Sequence, residues 1–526
     1  MKTTNKHHNP ISNRMKGKDS QNQFNKESFL DSIDQLAEKG KPISHEKLLD
    51  LLLDKIEPID FYEEVKANDS TVKGDFKLQK KHYLVITIDI LIKIAQRNNF
   101  GLCKKYGSTY LYNGAYWKVM EKEGFESFLG KAAEKMDIDR YTARYYKFKE
   151  DLWKQFLSAG YLERPDTDDN SVLVNLQNGT FLINETETVL LNFNADDFLT
   201  YQLSFHYSPE AKAPLFQKYL DRVLPEKDAQ IVLAEYLGYI FIKHGNSKLK
   251  LEKALLLYGS GANGKSVFYE IVMALLGREN ISSFTLDQLT DKEGLKRAQI
   301  ADKLLNYASE IGTGMATDYF KRLTSGEPVD ARRLYGDPFD IYQYAKLMFN
   351  CNELPRQTEN TNAFFRRFLI IHFNQTIPEE EQDKELPNKI IDNELSGVFN
   401  WALEGLQRLL RQGKFSYCRS SEAILNEFRT ESNSVELFFR EENYQKDNEA
   451  HIYIRDIYPE YRQFCIEDGL HPYSNRRFTK HLRQNGYKVF RATGNKTAVA
   501  LSKNEDSETE EDFDDILMRE DDDLPF

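Results

Sequence analysis

A glycine-rich segment near the middle of the chain has the residue types that bind phosphate. Residues 259–266 read G-S-G-A-N-G-K-S and match the spacing G-x-x-x-x-G-K-S. Glycines let backbone N–H groups turn inward around an anion, the lysine reaches the β and γ phosphates, and the serine hydroxyl ligates Mg²⁺. The segment predicts a site for ATP and Mg²⁺ formed by Gly259, Ser260, Gly261, Ala262, Asn263, Gly264, Lys265 and Ser266.

The flanking residues predict the elements that would position this loop. The apolar run ALLLY at 254–258 predicts a buried strand leading into it. After the loop, apolar residues at 267, 271, 274 and 275 predict a helix whose N-terminus points at the phosphates. Residues 246–415 alternate short apolar strands with helices, a pattern typical of a parallel α/β sheet.

Further polar residues stand at the ends of other predicted strands. Glu310 ends KLLNYASEI, and Asn352 lies in KLMFNCNELP. Beside the phosphate loop of a doubly wound sheet, Glu310 would polarise the attacking water and ligate Mg²⁺, and Asn352 would hold the water or sense the γ-phosphate. Arg366 and Arg367 precede a fourth apolar strand, and either is a candidate arginine finger for a neighbouring subunit's ATP. Each residue alone is typical of a solvated surface, so the prediction depends on their order and spacing together.

Charge and cysteine content limit the remaining classes of function. The net charge is −12, but the residues from Lys503 onward include twelve acids and two bases, a net of −10. The rest of the chain is therefore near −2 and can form local basic surfaces for DNA. The four cysteines form no CxxC pair, which argues against disulfides and structural zinc. No signal peptide or membrane span is recognisable, so we expect a cytoplasmic protein without a membrane partner.

Shifts in composition predict five segments. They are a flexible arm with a helical segment (1–80), an α+β domain (81–245), an ATPase domain (246–415), a helical segment with a two-stranded wing (425–503), and an acidic, disordered tail (504–526).

The wing segment contains a basic stretch. Residues 474–502 hold seven lysines and arginines and no acid. Ser474 is placed to cap a helix whose Phe478 and Leu482 face a core while the bases face outward. A helix followed by a wing is typical of a winged helix-turn-helix, whose bases would neutralise DNA phosphates without reading sequence. The expected contacts on the helix are Arg476, Arg477, Lys480 and Arg483; the alternative is a solvated face of a protein-binding module.

Together these features resemble superfamily 3 helicases of the branch found in phage, plasmid and large-DNA-virus primase-helicases. The phosphate loop, the Glu310 and Asn352 strands and the arginine pair match that family's order and close spacing. Residues 110–119, 175–183 and 199–220 resemble its domain preceding the motor, and 394–410 resembles its closing helix. The resemblance implies an AAA+-like P-loop motor that forms a ring, usually a hexamer. It also implies that residues 320–339 form a hairpin facing DNA in the central channel.

The chain departs from this family in three respects. Ser309 stands where many members have a second acid, so Glu310 is the expected acid. Without that second acid, Mg²⁺ would depend on Ser266, ATP oxygens and water. Gly336 stands where the hairpin tip often has a lysine, so we expect DNA contacts from Arg332, Arg333 or Lys346. No primase domain is evident, so we expect a separate primase.

The last residues resemble a different family. The sequence EDFDDILMREDDDLPF at 511–526 is similar to the C-terminal tip of bacterial single-stranded-DNA-binding proteins, which docks replication and repair enzymes. The resemblance implies host partners that bind Asp521, Asp522, Asp523, Leu524, Pro525 and Phe526 through an apolar pocket and cationic side chains. The alternatives are a DNA mimic that covers the protein's own wing, and an acidic solubility tail.

The sequence thus predicts an ATP-dependent replicative DNA helicase acting on single-stranded or forked DNA. The alternative is a DNA-binding initiator or recruitment hub, in which ATP controls assembly while the wing and the tail gather partners.

Overall fold

The computed structural model describes residues 44–68, 76–98, 101–159, 171–185, 187–245, 249–312, 314–334, 336–355, 361–470 and 472–504. The chain divides into two compact units: one contains residues up to 355 and 366–422, and the other contains 356–365 and 423 onward. Among the helices of these residues, none could span a membrane.

The first unit begins with helices that pack on a small antiparallel sheet. Leu52, Leu91, Phe125 and Leu152 are fully buried in one apolar cluster, because the helices turn their apolar faces towards one another. The elements are α1 (His45–Asp54), α2 (Phe61–Asn68), α3 (Lys80–Arg97), β1 (Gly101–Lys105), β2 (Ser108–Tyr112), β3 (Trp117–Val119), α4 (Lys122–Lys135), α5 (Arg140–Arg144) and α6 (Tyr146–Ala159).

A second antiparallel sheet and two helices connect this part to the central sheet. The sheet has the order β4-β5-β6, and its buried face joins the same apolar cluster as the two helices. The elements are β4 (Val172–Leu176), β5 (Gly179–Ile183), β6 (Thr188–Leu191), α7 (Pro214–Val223) and α8 (Lys227–Tyr239).

The centre of the first unit is a parallel five-stranded sheet. Its strands, with the elements between and after them, are β7 (Ala254–Tyr258), α9 (Lys265–Leu276), β8 (Ile281–Ser282), α10 (Leu286–Leu289), β9 (Leu305–Ala308), α11 (Thr317–Ser325), β10 (Val329–Arg332), β11 (Pro338–Ile341), β12 (Lys346–Cys351), β13 (Phe368–His372) and α12 (Leu386–Gln412). The order is β13-β7-β12-β9-β8, and every neighbouring pair is parallel. The predicted parallel α/β sheet is confirmed.

Helices cover this sheet, which explains why its strands are continuously apolar. β9 and β12 are buried along their whole length, and parallel strands covered on both faces have this composition. Helix α12 packs against α8 and α9. All strands of a parallel sheet end at one edge, so the loops that follow β7, β9 and β12 lie along the same side of the molecule.

Strands β10 and β11 form a separate antiparallel hairpin. Val329 pairs with Ile341 and Arg332 with Pro338. A hairpin therefore forms in the expected region, but its bounds differ from the expected 320–339, because residues 320–325 belong to helix α11 and β11 ends at Ile341.

The second unit contains helices and short strands around an aromatic core. Phe438, Tyr461 and Phe478 are buried there. The elements from residue 419 onward are α13 (Arg419–Glu431), α14 (Ser434–Glu441), β14 (Tyr444–Lys446), β15 (Ile452–Tyr453), α15 (Ile454–Glu467), α16 (Asn475–Gln484), β16 (Val489–Ala492), β17 (Lys496–Val499) and β18 (Leu501–Lys503). Strands β16 and β17 pair antiparallel after a helix, as predicted, but β15 also pairs with β17, so the sheet has three strands rather than two.

Candidate nucleotide site and nucleic-acid surfaces

The loop between β7 and α9 is held in place from several sides. Gly259 N donates to Cys351 O at the end of β12, at 3.1 Å. Asn263 Nδ2 donates to the carbonyl of Phe373, at 2.9 Å, and Tyr219 Oη donates to Gly264 O, at 2.8 Å. The strand and helix predicted on either side of the loop are confirmed. Because α9 begins directly after the loop, its first N–H groups point towards the loop.

Two glycines of the loop have no room for a side chain. At Gly264 φ is +87°, and a Cβ would lie 2.7 Å from Val223 Cγ1. At Gly259 a Cβ would lie 2.3 Å from Asn263 Nδ2 and 2.4 Å from Phe373 O. Such separations are shorter than non-bonded contacts allow, so only glycine permits this backbone path. A tight, glycine-dependent turn at a helix N-terminus fits the oxygens of a phosphate chain.

Lys265 starts α9 and directs its ammonium group into the loop. Its Nζ donates to Gly259 O and to Asn263 Oδ1, the latter at 3.2 Å. Burial lowers the pKa of Lys265. A phosphate partner would compensate that desolvation. Ser266, the next residue, is exposed and therefore accessible to a metal ion.

The sheet brings Asn352 and Glu310 to the same edge as the loop. Asn352 follows β12, the immediate neighbour of β7, so it lies about one strand spacing, ~5 Å, to the side of the loop. Glu310 follows β9, the next strand, and lies about two spacings, ~10 Å, away. Both side chains are exposed, as is Ser309. The intervening strand leaves space between loop and acid, where a terminal phosphate and an attacking water would have to fit.

A buried hydrogen bond connects the strands that present these two residues. Tyr307 Oη on β9 donates to Asn350 Oδ1 on β12, at 2.9 Å. The Tyr307 ring also packs edge-on against Tyr269 of α9, with ring centroids 4.8 Å apart. These contacts link the phosphate-loop helix to both strands. No motif in the sequence indicates these contacts; the one signal is Asn350, a polar residue inside an otherwise apolar strand, two positions before Asn352.

The two predicted arginines lie in different environments. Arg367 is buried, and its Nη2 lies 2.9 Å from Ser325 Oγ and 3.4 Å from Glu252 Oε2. Arg366 is exposed, and its Nη2 lies 2.6 Å from Glu252 Oε2. Both precede β13, so they stand at the opposite edge of the sheet from the loop, about 16 Å away along a five-residue strand. Neither is placed to reach the phosphate loop of its own subunit. Glu252, which pairs with both, was not indicated by the sequence.

The hairpin presents two of the three expected DNA contacts. Arg332 and Arg333 are exposed; Arg332 Nε donates to Gly336 O at 3.0 Å, and Arg333 Nη1 donates to Tyr106 O at 2.9 Å. Lys346 does not belong with them. It is buried at the start of β12, and its Nζ lies 3.1 Å from His244 Nδ1. The expectation that Lys346 joins the hairpin arginines in one DNA-contacting surface is wrong, because its side chain is buried inside the first unit rather than on the hairpin surface.

Helix α16 has a basic outer face. Arg476, Arg477, Lys480 and Arg483 are all exposed. On the inner face Phe478 and Leu482 are fully buried, and Ser474 Oγ accepts from Arg477 N at 3.4 Å. The predicted cap and inward face are therefore confirmed, and the four bases are exposed on the same helix. The proposed partner residues Asp521–Phe526 lie outside the described residues.

Two family models match separate parts of the chain. Residues 89–225 match a family described as "D5 N terminal like". Residues 257–367 match a family of unknown function, DUF5906. The second interval runs from the end of β7 to Arg367 and contains all of the predicted catalytic residues: Lys265, Glu310, Asn352, Arg366 and Arg367.

Two relatives are viral proteins named as helicases. The chain is 23% identical over 379 residues to "Putative helicase L207/L206" of Acanthamoeba polyphaga mimivirus, which covers 67% of this chain and 37% of the viral protein. It is 24% identical over 341 residues to "Putative helicase 121R" of Invertebrate iridescent virus 3, covering 57% and 35%. The chain thus spans little more than a third of either relative. Among solved structures, the C-terminal region of NrS-1 aligns with 80% of this chain and all of that one, at 12% identity and a TM-score of 0.43.

Proposed function

We propose that this protein is an ATP-dependent DNA helicase of the superfamily 3 type. The observation behind the proposal is the arrangement of the parallel sheet. Lys265, Asn352 and Glu310 follow neighbouring strands at one edge, and Arg366 is exposed at the other. Similarity to helicase-named viral proteins supports the same class.

The residues at the sheet edge that carries the phosphate loop would each have a separate function in ATP hydrolysis. Loop N–H groups and Lys265 would hold the phosphates, and Ser266 with Glu310 would hold Mg²⁺. When bound, Mg²⁺ neutralises charge on the phosphate oxygens. Glu310 would orient and polarise the attacking water, and Asn352 would hold that water beside the γ-phosphate.

The position of Arg366 supports a site shared between subunits. An exposed arginine at the far edge of the sheet reaches ATP only in a neighbour that presents its loop edge to it. Such a contact joins unlike surfaces of the same chain and closes into a ring under cyclic symmetry. We propose a ring, a hexamer by its resemblance to superfamily 3, in which Arg366 is the finger and Arg367 supports its position.

Two basic surfaces would bind DNA. Arg332 and Arg333 on the β10–β11 hairpin would contact the strand in the channel, and hydrolysis would move the hairpin and that strand together. The α16 face, with the β16–β17 wing beside it, would act as a winged helix on phosphates.

Protein partners would be a separate primase and, through the acidic Leu-Pro-Phe terminus, host proteins of the bacterial cytoplasm that bind the single-stranded-DNA-binding protein tip. Deleting Pro525 and Phe526 should abolish co-purification of such host proteins; binding that survives the deletion would refute the proposal that the terminus is bound like that tip.

The competing function is an initiator or hub that uses ATP only to assemble. Glu310→Gln separates the two, because it removes the acid but leaves the phosphate loop intact. The variant is expected to bind ATP, assemble on DNA and fail to hydrolyse. A matched control is Glu404→Gln, an exposed acid on α12. If Glu310→Gln retains every DNA-dependent activity of the wild type, ATP is an assembly switch and the helicase proposal is wrong.

A further inference from the structure

A cavity of about 540 Å³ lies within the first unit, away from the phosphate loop. Its walls come from the β1–β2 turn, residues 197–201, the segment after α8 at 240–244, and residues 302–304 and 342–346. A cavity of this size matches the pockets in which proteins hold small organic ligands.

The charge of the lining is predominantly positive. Five lysines face two aspartates, Asp197 and Asp302, which leaves a formal excess of three positive charges; the lysines are Lys104, Lys105, Lys243, Lys303 and Lys346. Lys105 Nζ already pairs with Asp302 Oδ1 at 2.7 Å. His244 adds no charge, because burial holds its pKa well below the ordinary value. The remaining lysines suit an anionic ligand.

Lys346 is the most deeply placed of these lysines. Its Nζ lies 3.1 Å from His244 Nδ1 and 4.4 Å from the centre of the Tyr239 ring. His244 Nε2 contacts Tyr344 O at 3.0 Å, so the neutral ring donates there and accepts from Lys346 at Nδ1. Burial lowers the pKa of Lys346 to about 7. Within the described ranges no carboxylate pairs with it, and a buried amine without a counter-ion gains from an entering anion.

Aromatic rings form another part of the wall. Tyr106 and Phe198 are half-buried, and Tyr342 is 39% exposed. Phe198 is held at φ +43°, an uncommon conformation for a bulky residue. Flat apolar rings beside cations are the combination that binds a base and its phosphate together.

We propose that this cavity is a second ligand site that takes a nucleotide, with its phosphate towards Lys346 and Lys243 and its base against the aromatic rings. The site is distinct from the loop at 259–266, because Lys346 and Cys351 stand at opposite ends of β12, about 16 Å apart. The same chemistry belongs to a free nucleotide and to a 5′-phosphorylated end of a DNA strand.

The surroundings of the cavity indicate what a bound nucleotide would influence. Tyr342 immediately follows β11 of the hairpin, and its N–H donates to Tyr106 Oη at 3.3 Å. The ligand would touch both the β1–β2 turn and the base of the hairpin. An effect on hairpin movement rests on the proposed helicase function; binding itself does not.

The test counts nucleotide sites on the full chain by equilibrium dialysis with ATP. We expect about two nucleotide sites per chain in the wild type and one in Lys265→Ala. In the double variant Lys265→Ala/Lys346→Met we expect no measurable site, because the affinity of the cavity for ATP should fall at least ~10-fold relative to Lys265→Ala. Lys346→Met alone should keep the phosphate-loop site, which shows that it folds. The control double variant with Lys292→Met, an exposed lysine outside the cavity, should keep one site. If Lys265→Ala binds no nucleotide, or binds it independently of Lys346, the proposal is wrong.

Two further arms identify the source of the ligand and the role of the amine. A 5′-phosphorylated oligothymidylate competing with ATP in Lys265→Ala assigns the site to a DNA end; failure to compete assigns it to free nucleotide. Calorimetry at pH 8 in buffers of different ionisation enthalpy should show proton uptake on binding, because an anion raises the pKa of Lys346. Proton uptake that persists in the Lys346→Met variant contradicts the assignment.

Discussion

The separate positions of Arg366 and Arg367 give a prediction with a defined magnitude. Arg366 forms one ion pair at an exposed position, so Arg366→Ala should change the free energy of unfolding by no more than about 1 kcal/mol. The same variant should lose about 10³-fold or more in the rate of ATP hydrolysis, since that is what an arginine finger contributes. Arg367→Ala removes a buried guanidinium from both Glu252 and Ser325, and should destabilise the protein by about 2–4 kcal/mol.

A mixing experiment tests whether the finger acts between subunits. Lys265→Ala has a defective phosphate loop and an intact finger, whereas Arg366→Ala has the reverse. Each is inactive alone, but in a ring assembled from an equal mixture about one interface in four joins an intact loop to an intact finger. ATPase activity should therefore recover to about a quarter of the wild-type value.

The assay is steady-state ATP hydrolysis with excess single-stranded DNA, with both variants mixed before ring assembly. The control is Arg367→Ala mixed with Lys265→Ala, where recovery is limited by the stability of the Arg367 variant. No recovery from the Arg366 mixture, with rings of normal size, would show that Arg366 does not act in trans. An Arg366→Ala variant with wild-type hydrolysis would refute the assignment altogether.

Three further predictions concern the loop, the buried lysine and the basic helix. Gly264→Ala should weaken ATP binding at least ~10-fold, because φ is +87° and the Cβ meets Val223, whereas Gly314→Ala, with open space around it, should bind normally in a titration. The pKa of Lys346 is lowered to about 7, so its charging penalty is fully present below pH 7 and disappears towards pH 10. Lys346→Met should therefore have a larger free energy of unfolding in urea than the wild type at pH 7. This difference should shrink by about 1.4 kcal/mol per pH unit above pH 7; a difference that does not change with pH would contradict the prediction. Lys480→Ala should reduce the salt dependence of duplex binding by about 0.9 in log–log slope, while Arg455→Ala, an exposed arginine on α15, leaves it unchanged.

Local patterns made some parts of this structure predictable. The phosphate loop, its strand and its helix lie within 25 consecutive residues, and each has a signal of its own type and period. The same holds for α16, where Ser474, Phe478 and Leu482 occupy the capping and inward positions that helical spacing requires.

Long-range contacts made other parts unpredictable from the sequence. Lys346 looks like a candidate DNA contact because it follows the hairpin, but His244, 102 residues earlier, lies against it in the interior. The difference between Arg366 and Arg367 depends on Glu252, 114 residues from Arg366, and on the pairing of β13 with β7. No spacing rule expresses such contacts, since the sheet order decides which distant residues meet.

Unwinding of a forked DNA duplex is the decisive assay for the proposed helicase activity. Wild-type protein with ATP and Mg²⁺ is compared with Lys265→Ala and Glu310→Gln, and with Glu404→Gln as the matched control. We expect strand separation by wild type and by the control, and none by Lys265→Ala or by Glu310→Gln, although Glu310→Gln still binds ATP. Unwinding by Glu310→Gln at the wild-type rate, or no unwinding by wild-type protein that hydrolyses ATP on the same DNA, would contradict it.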